Sequence, residues 1–220
     1  IARPGLEEFK DVGDGPIRAI FQKAGLFGGD TLILSADTLY RMTSAGVVTA
    51  LSGTEAGDDL VDIDAGQDAD LNSVGKIATG DHLYQFTETA VSLDSTFNSG
   101  LGASSVCHHR GFWLGSVPAG DQVFYQVPGD VTWDALSFMS AEFQHDPIVA
   151  IRSRGDQIAL LGSTTTEIWA LTGSDTVPFI APYGGLIFDF GCLSRSSAVN
   201  VAGALIWVDN NCSVRLFEGG

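Results

Sequence analysis

Short apolar runs bounded by Gly, Asp, Asn or Ser recur along the chain. No stretch longer than about ten residues shows helical periodicity, and runs of this kind are typical of β-strands. Each run is followed by a second strand-like segment. The first members of these pairs include Thr31–Leu34, Phe112–Leu114, Gln157–Leu161 and Ala204–Val208. The pattern predicts an all-β protein.

The second segments repeat at a nearly constant spacing. Their second positions are Tyr40, Tyr84, Tyr125, Trp169 and Arg215, at intervals of 44, 41, 44 and 46 residues. This period, with paired short strands in each unit, is typical of β-propeller blades. Stacked blades bury each other's faces, so the aromatic ring of each unit is expected to pack against a neighbour. We predict a β-propeller of about five visible blades, with a β-sandwich as the alternative.

The chain contains no segment with the composition of a linker, which favours one domain. We predict that residues 16–220 form the blades. Residues 1–15 are predicted to be an N-terminal arm that pairs with a distant strand.

The charge of the chain is strongly negative, with 27 acidic and 11 basic residues. This balance argues against specific nucleic-acid binding and against docking on an anionic membrane, because both need clustered Lys and Arg. Seven acids lie between Glu55 and Asp70, and Lys76 is the one base in residues 42–109. Clustered carboxylates suggest a Ca²⁺ site, but the EF-hand spacing is missing, and a solvated acidic loop is the simpler interpretation.

Candidate metal ligands occur at Cys107-His108-His109. On a strand, Cys107 and His109 point to one face and His108 to the other, so a tetrahedral site would need two further ligands. The odd count of three cysteines excludes a simple disulfide framework and favours a reducing compartment. We predict no metal site and no cofactor.

The segment Gly129–Trp133 resembles the end of the Asp-box turn of sialidase-type propellers, but Val127 stands where the diagnostic acid belongs. A plain hairpin followed by a buried Trp133 is the preferred interpretation. Nucleophile elbows, phosphate loops and zinc-protease helices do not occur in the sequence. We therefore predict no catalytic residues and no enzyme activity. Carboxylate pairs for glycoside hydrolysis meet only in space, so a propeller glycoside hydrolase and a lectin-like sugar-binding module remain alternatives.

An ordered set of short segments, firmest over residues 133–220, resembles the packaged-DNA stabilisation proteins of short-tailed bacteriophages, which are also called tail accessory or tail-hub proteins. The segments are Arg3–Gly5, Trp133–Phe138, Ser140–Glu142, Asp146–Ile151, Gly155–Ile158, Leu161–Gly162, Thr166–Trp169, Leu171–Gly173, Gly191–Cys192 and Ile206–Val208.

The resemblance implies a virion protein of the phage tail, assembled in the bacterial cytoplasm as a homo-oligomeric ring below the portal. Such a ring helps to retain the packaged DNA, serves as a conduit for its ejection, and carries the tail needle or receptor-binding proteins. Members of the family are longer, so we expect further blades beyond this chain. We also hypothesise that part of the acidic stretch Glu55–Asp70 faces the lumen of the ring, where a negative wall would let DNA slide. The alternative is that these acids serve only solubility.

Overall fold

The computed structural model describes residues 10–141, 143–174, 178–180 and 186–218. Five antiparallel sheets are arranged as the blades of a β-propeller, and in all but one of them every two strands that follow one another in sequence are neighbours in the sheet. The predicted fold is therefore confirmed. The described residues contain three short 3-10 turns, at Phe27–Gly29, Phe97–Gly100 and Arg195–Ser197. No helix among them is long and apolar enough to span a lipid bilayer.

The strands divide among the blades in chain order. Blade 1 contains β1 (Ile17–Phe21), β2 (Thr31–Ser35), β3 (Thr38–Met42) and β4 (Val48–Ala50). Blade 2 contains β5 (Asp62–Gln67), β6 (Ser73–Ala78), β7 (Leu83–Phe86) and β8 (Val91–Leu93). Blade 3 contains β9 (Ser105–His109), β10 (Phe112–Ser116), β11 (Gln122–Gln126) and β12 (Phe138–Ser140).

The last two blades differ from this plan at their outer edges. Blade 4 contains β13 (Ile148–Arg154), β14 (Gln157–Gly162), β15 (Thr166–Leu171), β16 (Phe179–Ile180) and β17 (Ile187–Phe188). Both β16 and β17 pair with β15. Blade 5 contains β18 (Val199–Val201), β19 (Ala204–Val208) and β20 (Val214–Phe217).

The five repeat positions all lie on the third strand of their blades, which confirms the predicted register. Each pairs with a residue of the second strand: Ile33 with Tyr40, Ile77 with Tyr84, Leu114 with Tyr125, Ile158 with Trp169, and Trp207 with Arg215. Tyr84 and Trp169 are buried against the preceding blade. Arg215 has no aromatic ring of its own, but its guanidinium lies 4.1 Å from the ring centroid of Phe190.

Tyr125 is the exception to the equivalence. Its cross-strand partner Leu114 packs towards blade 4, and the Tyr125 ring contacts Phe179 of that blade. Because side chains alternate along a strand, a shift of one residue reverses the face. The interval that leads to Tyr125 is the shortest of the four, and the residue that blade 3 turns towards blade 2 at this level is Gln126.

Hydrophobic clusters fill the spaces between successive blades. One cluster joins blades 1 and 2 around Phe27 and Phe86, and another joins blades 2 and 3 around Phe97 and Trp113. The remaining clusters join blades 3 and 4 and blades 4 and 5. Burial of this apolar surface is the main force that holds the stack of sheets together.

The first strands of neighbouring blades contact each other, which places β5, β9 and β13 at the propeller axis. Arg152 on β13 forms a bidentate ion pair with Asp62 on β5, with N–O distances of 2.9 and 3.0 Å. Arg195 donates to the backbone carbonyls of Ser104 and Leu60. Side chains from the last two blades therefore fix the positions of blades 2 and 3.

Blade 5 has two apolar faces, and one of them is exposed. Leu205 and Trp207 pack on blade 4. Cross-strand pairing places seven apolar residues on the opposite face, and four of these are at least 46% exposed. The seven are Val199, Val201, Ala204, Ile206, Val208, Val214 and Leu216. Among the described residues, no hydrophobic cluster joins this face to blade 1.

The predicted N-terminal arm is described only in part, since residues 1–9 lie outside the described residues. The rest of it runs along blade 1. The carbonyl of Pro16 accepts a hydrogen bond from the backbone N–H of Ala36, and that of Gly15 accepts one from the Ser35 hydroxyl. These contacts are made with the adjacent blade. Arg3–Gly5 and Glu142, which carry part of the family resemblance, also lie outside the described residues.

Candidate functional site between blades 2 and 3

A row of polar side chains crosses blade 2 on the face that it turns to blade 3. Asp64, Lys76, Gln85 and Ser92 lie directly opposite each other on its four strands. On blade 3, the equivalent row on the face turned to blade 2 consists of His108, Trp113 and Gln126. We call this region the polar seam, and it differs from the aliphatic and aromatic filling of the seam between blades 3 and 4.

A buried ion pair lies at one end of the polar seam. The Lys76 ammonium is 2.6 Å from a carboxylate oxygen of Asp94, and both side chains are almost completely buried. The same carboxylate accepts hydrogen bonds from the indole N–H of Trp133 at 2.9 Å and from the hydroxyl of Thr96 at 2.7 Å. The ammonium also lies 5.6 and 5.2 Å from the ring centroids of Trp113 and Trp133, within the range of cation–π attraction.

Burial and the ion pair shift the pKa values of both partners. Burial lowers the pKa of Lys76, because it disfavours the charged ammonium, and Asp94 opposes this change. For Asp94, burial would raise the pKa, but the charge of Lys76 and hydrogen bonds from Lys76, Thr96 and Trp133 outweigh it and hold the pKa below its usual value. The positive charge in the seam is thus matched by a negative one.

An open cavity of about 480 Å³ follows the polar seam. Lys76, Gln85 and Ser92 line it on the side of blade 2, and Trp113 and Gln126 line it on the side of blade 3. The turn 67–70 and the segment 127–131 also contribute to its wall. A second cavity of about 380 Å³ is lined by residues of blades 1, 2 and 3 and shares Gln67, Asp68 and Gly111 with the first.

Two buried polar atoms in the polar seam have no hydrogen-bond partner within the described part of the chain. They are Oε1 of Gln126 and Nε2 of His108. Gln126 is 4% exposed, and its amide nitrogen donates to the backbone carbonyl of Asp130 at 2.8 Å. That bond fixes which end of the amide is the nitrogen, so the oxygen is the free acceptor. Unpaired buried acceptors are rare in folded proteins, so this one calls for an explanation.

The three residues Cys107-His108-His109 are divided between two seams, as the alternation along a strand predicted. Cys107 packs towards blade 4, where Nδ1 of His109 lies 2.8 Å from the hydroxyl of Ser153. His108 points to blade 2, and its ring lies where a Cβ on Gly66 would be, 2.4 Å away.

The pKa values in this segment also favour neutral side chains. Burial raises the pKa of the Cys107 thiol, so the thiolate that metals prefer is disfavoured. Burial lowers the pKa of His109 to about 4. The described residues contain no group of three or more His, Cys, Asp or Glu side chains that could hold a metal ion.

The acidic stretch Glu55–Asp70 is not a uniformly solvated loop, which corrects the simpler interpretation of it. Glu55 is completely buried and ion-paired with Arg18. Asp62 is held by Arg152, and Asp64 lies 2.7 Å from Lys23. Asp68 accepts the backbone N–H groups of residues 70 and 72 and so closes the turn between β5 and β6. The exposed acids with no such structural role are Asp58, Asp59 and Asp70.

The partial Asp-box segment forms the loop between β11 and β12. Its turn closes through a hydrogen bond from the N–H of Asp130 to the carbonyl of Val127, and Gly129 has a φ of 91° that favours glycine. Trp133 is 6% exposed and packs edge-on against Phe97. The expected hairpin with a buried tryptophan is confirmed, and the loop borders the cavity of the polar seam.

Solved structures share the fold at low sequence identity. The computationally designed Ika8 protein matches with a TM-score of 0.58 and 8% identity over 95% of this chain and 60% of its own. Virginiamycin B lyase from Staphylococcus aureus matches with a TM-score of 0.55 and 11% identity, over 94% of this chain and 71% of its own. The Dos1 propeller matches with a TM-score of 0.56 and 13% identity, over 92% and 56%. This chain therefore spans roughly three fifths of the designed protein, and at such identities the similarity concerns the fold alone.

Sequence comparison supplies the family. A search of curated protein sequences found no significant match. The family model described as "Bacteriophage P22 Gp10, beta-propeller" matches residues 2–216, which extends the resemblance found in residues 133–220 to nearly the whole chain. With this match and the propeller fold together, the chain belongs to the bacteriophage P22 Gp10 β-propeller family.

Proposed function

We propose that this protein assembles in the host cytoplasm into a homo-oligomeric ring below the portal of a short-tailed bacteriophage, where it helps to retain the packaged DNA. Membership of the Gp10 family makes it a structural, tail-associated protein of the bacteriophage virion, and the match over residues 2–216 is the observation that carries the proposal. In the same proposal the ring is the conduit for DNA ejection and the attachment point for the tail needle or receptor-binding proteins.

The contacts at the propeller axis support a role as a rigid building block. The pair of Arg152 with Asp62 connects blades 2 and 4, and Arg195 reaches the backbone of residues 60 and 104. These groups occupy the space between the first strands. The proposed DNA conduit would therefore run between subunits of the ring and not along the axis of one propeller.

The hypothesis that part of the acidic stretch faces the lumen of the ring applies to its exposed acids, which include Asp58, Asp59 and Asp70. Glu55, Asp62 and Asp64 are already paired with Arg18, Arg152 and Lys23, so their charges are largely neutralised locally. A negative wall facing DNA would depend on the three exposed acids and on Asp68, which is exposed and accepts only backbone and amide N–H groups, since repulsion by carboxylates without a cation partner acts over about one Debye length.

Electron microscopy of the purified protein, alone and mixed with portal rings, tests the ring. Closed rings in either sample are expected, and particles assembled without the protein should lose DNA to nuclease. A protein that stays monomeric on portal rings, or DNA that stays protected without it, would rule the proposal out.

The charge hypothesis has its own test. Phage carrying Asp58→Lys, Asp59→Lys and Asp70→Lys together should eject DNA more slowly, and Asp156→Lys, an exposed acid of blade 4, serves as control. Equal ejection rates would show that these acids do not affect the passage of DNA.

The predicted lack of hydrolase activity is tested separately with host polysaccharide as substrate, where turnover that depends on one carboxylate would contradict it.

A further inference from the structure

The structure points to a docking surface that is separate from the ring contacts: we propose that two adjoining cavities of blades 1–3 bind an extended segment of a partner protein, in which lysine or arginine stands beside apolar residues. The cavities, of about 480 Å³ and about 380 Å³, adjoin at Gln67, Asp68 and Gly111. We call the two together the trough. The proposal does not depend on the ring, because every residue that it uses belongs to one chain.

The trough crosses three blades. It is lined by Lys23 and Leu26 in blade 1, by the turn 67–71 in blade 2 and by the segment 127–131 in blade 3. Each cavity alone has the volume of a small-molecule site. An occupant that contacts both is long and narrow, which fits an extended polypeptide better than a compact small molecule.

The side chains that would contact this segment are accessible to solvent. Leu71 lines one cavity and is 72% exposed, and Val131 lines the other and is 83% exposed, so each can cover an apolar side chain of the partner. Gln85 and Ser92 point towards blade 3 but are exposed, so this part of the sheet face is uncovered. Their side chains both donate and accept hydrogen bonds, as the backbone of an extended segment requires.

The exposed charges of the trough are negative. Asp68, Asp70 and Asp130 line it, and none of them forms an ion pair within the described part of the chain. Hydrogen bonds from the side chain and the backbone of Asn72 hold the pKa of Asp68 below its usual value, so this carboxylate stays ionised.

The cations in the wall do not offset these charges. The ammonium of Lys23 lies 2.7 Å from the carboxylate of Asp64, and that of Lys76 lies 2.6 Å from the carboxylate of Asp94. Each lysine is therefore already compensated by a carboxylate of its own. The remaining field attracts basic side chains and repels anions such as DNA, and this complementarity selects the chemistry of the partner.

Both walls of the trough are fixed by hydrogen bonds of the chain itself. The carboxylate of Asp68 accepts the backbone N–H groups of residues 70 and 72. The backbone N–H of Asp130 donates to the carbonyl of Val127, and its carbonyl accepts the amide of Gln126. A partner segment would thus bind to preformed walls, and less ordering free energy is lost on binding.

Fluorescence anisotropy of the whole chain with a labelled synthetic peptide, in which lysine alternates with valine, tests the proposal. The comparison ligands are the same peptide with glutamate for lysine, the same peptide with serine for valine, and spermine, which carries charge without a backbone. We expect the lysine–valine peptide to bind more tightly than all three. Added salt should weaken its binding, because the contacts of its lysines with exposed carboxylates are screened.

The decisive variant is Asp70→Asn/Asp130→Asn, which removes two exposed charges from the trough and should weaken binding of the peptide about fivefold or more. Asp11→Asn/Asp81→Asn is the matched control, since both residues are exposed and neither lines the trough. All four side chains are exposed, so the two variants should fold alike.

Two single variants ask whether one peptide contacts both cavities. Leu71→Lys and Val131→Lys each place a cation in one of the cavities, and each should weaken binding of the lysine–valine peptide. A loss in only one of them would confine binding to one cavity and overturn the proposed trough.

Further results would also overturn the proposal. They are the absence of binding of the lysine–valine peptide at millimolar concentration, equal affinities of the two double variants, and equal or tighter binding of any comparison ligand. Self-association of the chain that Asp70→Asn/Asp130→Asn abolishes would assign the trough to a second copy and equally reject the proposal. Asp130 takes no part in the lumen hypothesis, and ring assembly is scored by microscopy, so failure of one proposal leaves the other to its own test.

Discussion

The seam between blades 2 and 3 and the seam between blades 3 and 4 are built on equivalent strands, but the first combines a hydrophobic cluster around Phe97 and Trp113 with buried polar side chains. In the second, Leu114, Ile158 and Trp169 fill the space between the sheets. In the first, Lys76 and Gln126 stand at comparable strand positions, and an open cavity remains. Blade 3 takes part in both, so the difference arises from which residues alternate onto each of its faces.

The comparison teaches that the repeat alone fixes the architecture and leaves the chemistry of each seam free. An aliphatic seam gains stability in proportion to the apolar area that it buries. The Lys76–Asp94 pair adds little net stability to the polar seam, because the desolvation of the two charges offsets much of their attraction. Such a seam is where a ligand is most easily accommodated, since it already contains polar groups and open volume.

Truncating a large side chain in the seam between blades 3 and 4 should have the largest effect on the free energy of unfolding. Trp169→Ala removes a ring that is 3% exposed, and the free energy of unfolding should fall by about 3–5 kcal/mol. Chemical denaturation measures the change, with the 83% exposed Val131→Ala as a control near zero. A loss below about 1 kcal/mol would mean that the ring does not support this seam.

Removing one partner of the Lys76–Asp94 ion pair should have the second-largest effect on the free energy of unfolding. Asp94→Leu leaves the buried Lys76 without its counter-charge and should cost about 3 kcal/mol. The double variant Lys76→Met/Asp94→Leu should recover most of the loss, because it removes both charges. If the single and double variants unfold at the same denaturant concentration, the pair makes no coupled contribution.

A smaller effect on stability is expected at Gly66, because the ring of His108 occupies the space that a side chain there would need. Gly66→Ala places a methyl group 2.4 Å from the ring of His108, and the resulting displacement should cost about 1–3 kcal/mol. Gly120→Ala is the control, since the added carbon there meets ordinary contacts at 3.5 Å. The ring resonances of His108 should shift in the first variant and stay unchanged in the second. Unchanged resonances in both proteins would show that Gly66 is not needed for room.

The smallest effect is the dependence of stability on acid pH that arises from the Lys76–Asp94 pair. The pKa of Asp94 in the folded protein lies below its reference value of 3.8. Its contribution to stability is therefore complete above that value and is lost as the pH falls through the lower folded value. Between about pH 5 and about pH 2.5 the wild type should lose stability relative to Lys76→Met/Asp94→Leu, because the double variant lacks this contribution, and the denaturation midpoints of the two proteins measure the change. A constant difference across that range would contradict the assignment.

Much of the fold could be predicted because it depends on local patterns. The strand pairs and their spacing predicted the blades, and all five repeat positions lie on third strands. The repeat did not predict the face of Tyr125, whose ring contacts the following blade and not the preceding one. A repeat interval locates a strand to within a residue or two, but one residue decides which blade its side chains meet.

The sequence by itself determined the number of described blades, the strands that carry the repeat, the net charge and the family, since each of these depends on residue order alone. Only the tertiary structure decided which acids of Glu55–Asp70 are neutralised, because Arg18 and Arg152 lie 37 and 90 residues away from their partners Glu55 and Asp62. It also decided the candidate site. Lys76, Trp113 and Gln126 form no motif along the chain, and they share a cavity because two sheets stack with these alternate positions facing each other.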